Sequence, residues 1–276
     1  AEDLRDDFHY SEPFPHLIID NFLTEKNAKI IARKFPNSNS INWTSHGSGA
    51  NADSLNFKGV KLQCSDENEF PDEIKDLMRE FNSQSFLNFL KKLTNVEYIF
   101  GDPYYNGCGL HSTGKGGRLM IHADVNRHPY PSLADQYLNC IFYVSEKWKK
   151  SWGGELELWD DKVKNCIKSI YPKFNRLVIF RTERRAFHGH PLPIECPEKE
   201  RRNSLAAYYY VPIIPKNEIA NNQIQTVMWK KTNKYDEQFS IKYLKYLVNI
   251  FLIDFTPPIF LRKLKELRNL LRKWNK

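Results

Sequence analysis

The sequence predicts an all-β core, a sandwich or closed barrel, carried on helical flanks. Three observations point there. Aromatic residues form 14% of the 276, with 18 Phe, 14 Tyr and 6 Trp, and such residues favour strands. Between Val96 and Pro212, short strand-like runs alternate evenly with Gly, Pro and Asn turn signals. No helix of the length that a parallel α/β sheet needs separates those runs.

The elements follow in order. Phe14–Asp20 reads as a strand, and Thr24 caps a helix that runs to Lys34 before Pro36 stops it. A stretch rich in Ser, Asn and Gly opens at Asn37, fitting a lid or a plain surface loop equally. Ile74, Leu77, Met78, Phe81, Phe86, Phe89 and Leu90 recur at helical spacing, which predicts one long helix over 71–93. The strand-like runs are Leu119–His122, Tyr137–Val144, Glu155–Trp159, Cys166–Ile170, Arg176–Phe180 and Ser204–Val211. From Ile213 the chain reads as helical again. Tyr243–Phe255 is apolar, Thr256-Pro257-Pro258 breaks it, and Phe260, Leu261, Leu264, Leu267, Leu271 and Trp274 line one face of a basic helix. The expected domains are therefore 1–215, with helical support over about 1–95 and the β core over about 96–215, and a basic helical extension over 216–276.

Composition narrows the function. With 41% apolar and 27% charged residues, the chain can bury a core. No apolar run approaches the ~18 residues of a membrane span, and Ala1-Glu2-Asp3-Leu4 has no apolar signal core. Five cysteines without a CxxC argue against a disulfide scaffold or zinc site, so a reducing, cytoplasmic compartment is expected. The net charge is 41 − 33 = +8, and residues 216–276 alone hold 13 basic and 5 acidic residues, also +8. The body is thus neutral, whereas a nucleic-acid enzyme carries its basic face on the catalytic body.

The chemistry is concentrated in Leu119-Met120-Ile121-His122-Ala123-Asp124-Val125-Asn126. On a strand, residues two apart share a face, so His122 and Asp124 offer a nitrogen and a carboxylate oxygen together. A third ligand must come from a distant strand, and Ala186-Phe187-His188-Gly189-His190-Pro191, 64 residues on at His188, supplies His188 or His190. Two His and one carboxylate on one face of an octahedral ion leave three positions open, as non-haem Fe(II) needs to bind a bidentate co-substrate and O₂. A zinc hydrolase would instead want a tetrahedral site. A 2-oxo acid chelating iron has a second carboxylate at its far end, which a guanidinium can grip with two charge-assisted bonds. Arg201-Arg202-Asn203-Ser204 offers that arginine beside the Ser204 hydroxyl, and strand alternation allows only one of the two.

Over His111 to Val211 the sequence resembles the catalytic core of Fe(II)/2-oxoglutarate-dependent oxygenases, in the prolyl 4-hydroxylase-like branch. The matching features are His122-Ala123-Asp124, Cys140-Ile141-Phe142-Tyr143-Val144, Trp148, Gly153-Gly154-Glu155-Leu156, Pro172 to Phe180, His188-Gly189 and Arg202-Asn203-Ser204-Leu205. The resemblance implies a double-stranded β-helix, a cupin-like jelly-roll, with iron at its open end. It implies His122, Asp124 and His188 as iron ligands and Arg202 as partner of the distal carboxylate of 2-oxoglutarate. Tyr143 matches a tyrosine that bonds the same carboxylate, with Ser204 beside it and Asn139 on the same strand face lining the pocket. Where relatives place a further polar contact, often a tyrosine, the nearest residues are His111 and Ser112. The implied reaction hydroxylates an unactivated C–H bond with O₂, giving succinate and CO₂, with ascorbate as a reductant. Related halogenases replace the carboxylate ligand with a small residue, so Asp124 favours hydroxylation.

Plainer roles compete. Tyr143 fits a core aromatic as well as a pocket residue. Gly153-Gly154 reads as a turn, Trp148, Trp152 and Trp159 as packing, and Asn126 and His128 as loop residues. The substrate expectation is a prolyl or other protein side chain, ahead of a sugar or lipid-linked glycan. A metal-binding cupin module without catalysis is the competitor, and the Arg202 clamp argues against it. Nucleic acid is not expected, because Leu205-Ala206-Ala207-Tyr208 stands where repair oxygenases carry a second arginine. Lys115, Arg118, Arg127, Arg184 and Arg185 would welcome an acidic substrate at the open end. The Pro258–Lys276 helix has the stripe-and-basic-face pattern of a helix on anionic lipid, so 243–276 is a candidate peripheral membrane contact. Packing on the barrel or in a homodimer is the alternative for that tail.

Overall fold

A computed structural model describes residues 2–45, 61–128, 134–213 and 228–229. The chain separates into two units, Ala1–Thr232 and Asn233–Lys276, and the described residues all fall in the first. The expected tail helices and their membrane or dimer contacts lie outside the described residues, as does most of the Asn37 stretch. No helix of the described residues is long and apolar enough to cross a membrane.

The N-terminal part comprises α1 (Arg5–His9), β1 (His16–Asp20), α2 (Glu25–Lys34), β2 (Thr44–Ser45), β3 (Lys61–Cys64), α3 (Asp72–Phe81) and α4 (Gln84–Thr94). Helix α2 begins where expected, with the Thr24 hydroxyl accepting from the Asn27 N–H. The single helix predicted over 71–93 is two. Asn82 ends α3, and Ser83 caps α4 by accepting from the Phe86 N–H at 3.2 Å. Asn95, at φ +55°, closes α4 in the left-handed region that Asn tolerates.

The β core follows as β4 (Phe100–Gly101), β5 (Gly109–Thr113), β6 (Leu119–Ala123), β7 (Ala134–Tyr143), β8 (Leu156–Trp159), β9 (Cys166–Ile170), β10 (Arg176–Arg181), β11 (His188–His190), β12 (Arg202–Pro212) and β13 (Met228–Trp229). These strands form two antiparallel sheets, as the jelly-roll expectation requires. The larger runs β1-β10-β7-β12-β5-β3-β2, with β4 also on β12, and the smaller runs β13-β6-β11-β8-β9.

Strand alternation gives the larger sheet two different faces. Its outer face presents Leu110, Phe142, Leu177, Ile179 and Leu205, which pack in one core with Ile74, Met78, Phe81, Leu90 and Leu93 of the helices. A hydrogen bond from the Tyr209 hydroxyl to the Phe81 carbonyl, 2.8 Å long, ties that layer to α3. The inner face sends Tyr143, Val178 and Phe180 against Leu156, Leu158 and Ile170 of the smaller sheet. Asn175, at φ +60°, clamps the N-terminal segment: its side chain accepts from the Leu23 N–H and donates to the Leu23 carbonyl. The helices thus brace one side of the larger sheet and leave the other free to line a chamber.

Candidate active site

The register brings the candidate ligands together. His122 on β6 lies directly opposite His188 on β11, and their ring centroids are 4.4 Å apart. Gly189 makes this approach possible, since a Cβ there would sit 2.7 Å from the Leu119 carbonyl oxygen and 2.8 Å from that of Met120. Asp124 follows β6 and faces both rings: Oδ1 is 3.6 Å from His122 Nε2, and Oδ2 is 3.4 Å from His188 Nε2. One ligand atom from each of the three residues lies within 4.8 Å of the others, and all three side chains are buried.

Backbone carbonyls set the tautomers. His122 Nδ1 lies 2.8 Å from the Met120 oxygen, and His188 Nδ1 lies 3.0 Å from the Ala186 oxygen. A carbonyl only accepts, so each Nδ1 carries the proton and each Nε2 presents its lone pair inward, as a metal ligand must. Burial, and then the neighbouring His188, pushes the His122 pKa down to about 4, so the imidazole is neutral near pH 7. Burial works to raise the Asp124 pKa, but its polar contacts with His188, His122 and Asn139 outweigh it and hold the carboxyl below the usual range. Two imidazole nitrogens and one carboxylate at this spacing could hold a divalent ion, and the mixed N/O donor set suits Fe(II).

The larger sheet supplies a second chemistry. Arg202 opens β12 with 7% exposure, and its Nη2 donates to the Tyr143 hydroxyl at 3.0 Å while its guanidinium lies over that ring. Arg202 Nε is buried without a hydrogen-bond partner, and a buried charged donor of this kind calls for an acceptor. Burial raises the Tyr143 pKa against the opposing pull of Arg202, so the phenol remains protonated. Tyr143 is a core aromatic whose hydroxyl also meets Arg202. Gly154, at φ +79°, is more than a turn: a Cβ there would meet Arg202 Cδ at 3.0 Å, so the glycine lets the arginine enter.

The remaining candidates divide cleanly. Ser204 is buried beside Tyr143, and His111 is its partner on β5, so both face the chamber. Asn139 donates from Nδ2 toward Asp124 Oδ2 at 3.4 Å, while its own Oδ1 is buried without a partner. Ser112 and Arg201, the alternatives to His111 and Arg202, lie on the opposite face, where Arg201 Nε donates to Ser112 Oγ at 2.7 Å. His190 does not join the triad. The Trp148 indole donates to the Gly153 carbonyl, and His128 packs edge-on against Tyr210 with Nε2 3.5 Å from Asp102, so both are structural. The expected ring of welcoming surface cations is weaker than predicted. Lys115 faces Glu198, Arg127 faces Asp135 and Arg185 faces Asp161, at 3.2, 3.4 and 3.9 Å respectively. The sequence reading missed Lys61 and Thr113, which share a row with Arg202 on the chamber side.

Comparison with known proteins agrees with this geometry. Residues 108–210 match the model of the 2OG-Fe(II) oxygenase superfamily. Prolyl 3-hydroxylase OGFOD1 of Mus musculus is 26% identical over 102 residues, which span 36% of this chain and 17% of that relative. A prolyl hydroxylase from Trichoplax adhaerens, solved with a peptide fragment of the hypoxia inducible factor oxygen degradation domain, superposes with a TM-score of 0.53 at 18% identity. That match covers 76% of this chain and 88% of the other. A prolyl-4-hydroxylase from Pseudomonas putida gives a TM-score of 0.52 at 14% identity, covering 75% of this chain and 97% of the other. Residues 108–210 thus carry the sequence pattern of the 2OG-Fe(II) oxygenase superfamily, and the described residues share the fold of prolyl hydroxylase structures.

Proposed function

We propose that the chain uses Fe(II), 2-oxoglutarate and O₂ to hydroxylate an unactivated C–H bond of a protein side chain, proline first. One observation carries this reading. The His122–Asp124–His188 group, with ligand atoms within 4.8 Å, meets the inner face of the larger sheet through Asn139, and that face also carries a buried arginine whose Nε lacks an acceptor. A module that merely stored a metal would need the first and not the second.

Each residue has a task that its surroundings support. His122 and His188 present Nε2 because carbonyls hold Nδ1, and Asp124 enters ionised because its polar contacts outweigh its burial. Asn139 steadies one Asp124 oxygen. Arg202, braced on Tyr143, receives the far carboxylate and so aligns the 2-oxo end toward the triad. Bound iron supplies the oxidation, in which 2-oxoglutarate becomes succinate and CO₂ and one oxygen atom enters the substrate. The burial of the triad keeps water from that reaction.

A protein substrate is favoured because the mouse relative is a prolyl 3-hydroxylase and the Trichoplax adhaerens neighbour was solved with a peptide. The test is incubation with Fe(II), 2-oxoglutarate, ascorbate and a proline-rich peptide library. The expected result is succinate formed in step with the gain of one oxygen on a peptide, both lost in Asp124→Ala. Succinate release in the wild type that no peptide stimulates would overturn the protein-substrate reading. Release equal in wild type and Asp124→Ala would overturn the enzymatic one.

A further inference from the structure

The helices do not cover the whole outer face of the larger sheet. Where β12 begins, beside the end of α2 and the turn after β7, a cavity of about 490 Å³ opens. Small-molecule sites span roughly 300–1,000 Å³, so this space suits a metabolite rather than a single simple ion. It lies behind Arg202. Arg201 and Asn203, the chain neighbours of Arg202, turn to the opposite face of the sheet and line the cavity with Ser112. Nothing in the proposed reaction uses this space.

Its floor is a fixed set of hydrogen bonds. Arg201 Nε can only donate, and it reaches Ser112 Oγ at 2.7 Å. The Ser112 hydroxyl in turn donates to Asn203 Oδ1 at 2.7 Å. With its oxygen so engaged, Asn203 presents Nδ2, a donor without a partner among the described residues. Ser145 Oγ locks the same segment by donating to the Arg201 carbonyl at 3.0 Å and accepting from the Asn203 N–H at 2.8 Å. Arg33, Lys147 and Lys199 bring three further cations to the lining. Glu146 and Glu200 also line it, yet no ion pair joins them to those three cations among the described residues. With Arg201, four cations stand against two carboxylates, a net of +2. Phe35 and Trp148 supply an apolar wall, and the Trp148 indole is fixed by its bond to the Gly153 carbonyl at 2.9 Å.

We propose that this cavity is a second binding site, for a small organic anion with a phosphate or carboxylate head and an apolar body. The head takes the Asn203 Nδ2 donor and the charge of Lys147 and Lys199, as charge-assisted bonds favour. The body rests on Phe35 and Trp148. A cation is opposed by the net charge, and an uncharged apolar molecule leaves the donors without acceptors. The site needs neither iron nor 2-oxoglutarate, so it stands or falls apart from the oxygenase reading.

The test titrates the full chain with phenyl phosphate, phenylacetate and benzyl alcohol by isothermal calorimetry. Phenyl phosphate or phenylacetate should bind with a Kd of about 1 mM or tighter, and the tighter of the two identifies the head group. Benzyl alcohol, which has the ring without the charge, should bind more weakly than either. Lys147→Glu combined with Lys199→Glu should weaken the anion about tenfold or more, the worth of a charge-assisted contact. Both lysines are exposed, so the fold tolerates the change. Asn203→Asp keeps the shape and the acceptor for Ser112, replaces the donor with a carboxylate oxygen, and should weaken the anion as well. Lys162→Glu combined with Lys164→Glu, exposed between β8 and β9, alters the net charge equally and should leave binding unchanged. Arg202→Leu should also leave it unchanged, which separates this cavity from the chamber. The inference is overturned if neither anion binds, or if benzyl alcohol binds as well as they do. It is equally overturned if the Lys147 and Lys199 replacements leave binding intact, or if Arg202→Leu abolishes it.

Discussion

The two sheets of the barrel do opposite kinds of chemistry with opposite kinds of construction. The smaller sheet holds the His122–His188 pair on strands of five and three residues, and its precision is local. Each imidazole is oriented by the carbonyl two residues before it, and Gly189 brings β11 against β6. The larger sheet holds Arg202 and Tyr143 on strands of eleven and ten residues, braced from behind by the apolar layer of α3 and α4. Its precision is collective, because Arg202 and Tyr143 meet only through the pairing of β12 with β7. A metal ligand needs a fixed lone pair, which short-range hydrogen bonds provide. A carboxylate needs converging charge, which demands long-range register.

This contrast can be broken from either side. The largest effect is expected on the smaller sheet. His188→Ala or Asp124→Ala should reduce Fe(II) affinity at least roughly 100-fold, since losing even an outer-shell partner costs 10–100-fold. Metal content after anaerobic loading checks this. Arg202→Leu should do the reverse, leaving metal content unchanged while weakening 2-oxoglutarate by about 10–100-fold, the worth of a buried charge-assisted contact. Parallel loss of metal in Arg202→Leu would show that the sheets are not separable.

Two glycines sharpen the same comparison at smaller cost. Gly189→Ala forces β11 away from the Leu119 and Met120 carbonyls, so it should lower stability by about 1–3 kcal/mol and weaken the metal. Gly154→Ala meets Arg202 Cδ and an unfavourable φ, so it should weaken 2-oxoglutarate and spare the metal. Denaturant unfolding with both binding titrations separates the two outcomes.

The smallest expected effect is a pH dependence. Burial, and then the charge of Arg202, pushes the Lys61 pKa down to about 8, with Asp124 opposing, while His122 and His190 face it as neutral rings. Lys61 is therefore charged below about 8 and loses its charge as the pH rises through that value. The affinity for 2-oxoglutarate should fall severalfold from pH 7 to pH 9, and Lys61→Met should flatten that profile.

Much of the site was legible because its chemistry dictates residue types at strand spacing. The pair His122 and Asp124, the Phe187-His188-Gly189 run and the Arg202-Asn203-Ser204 run each advertise themselves within a few residues. Legibility failed where a role depends on a distant partner. Lys61 begins a four-residue strand without a turn signal, and it faces the chamber only because β3 pairs with β5. His111 and Ser112 are equal as a sequence, and the register with Ser204 and Asn203 decides which one turns inward. The break between α3 and α4 falls within the five-residue step from Phe81 to Phe86, a slip of about 140° from the helical phase that the apolar residues on either side obscure. The Ser83 cap was the available signal. The surface arginines looked like a landing site, because a sequence does not show that Asp135 and Asp161 already face two of them.

The most direct measurement is the absorption spectrum of the anaerobic protein with Fe(II) and 2-oxoglutarate. The wild type should take up one Fe(II) per chain and develop the visible charge-transfer band only when 2-oxoglutarate is added, and His122→Ala should show neither. A wild-type protein without the band, or a band that survives in His122→Ala, would contradict the assignment of His122, Asp124 and His188 to a single iron.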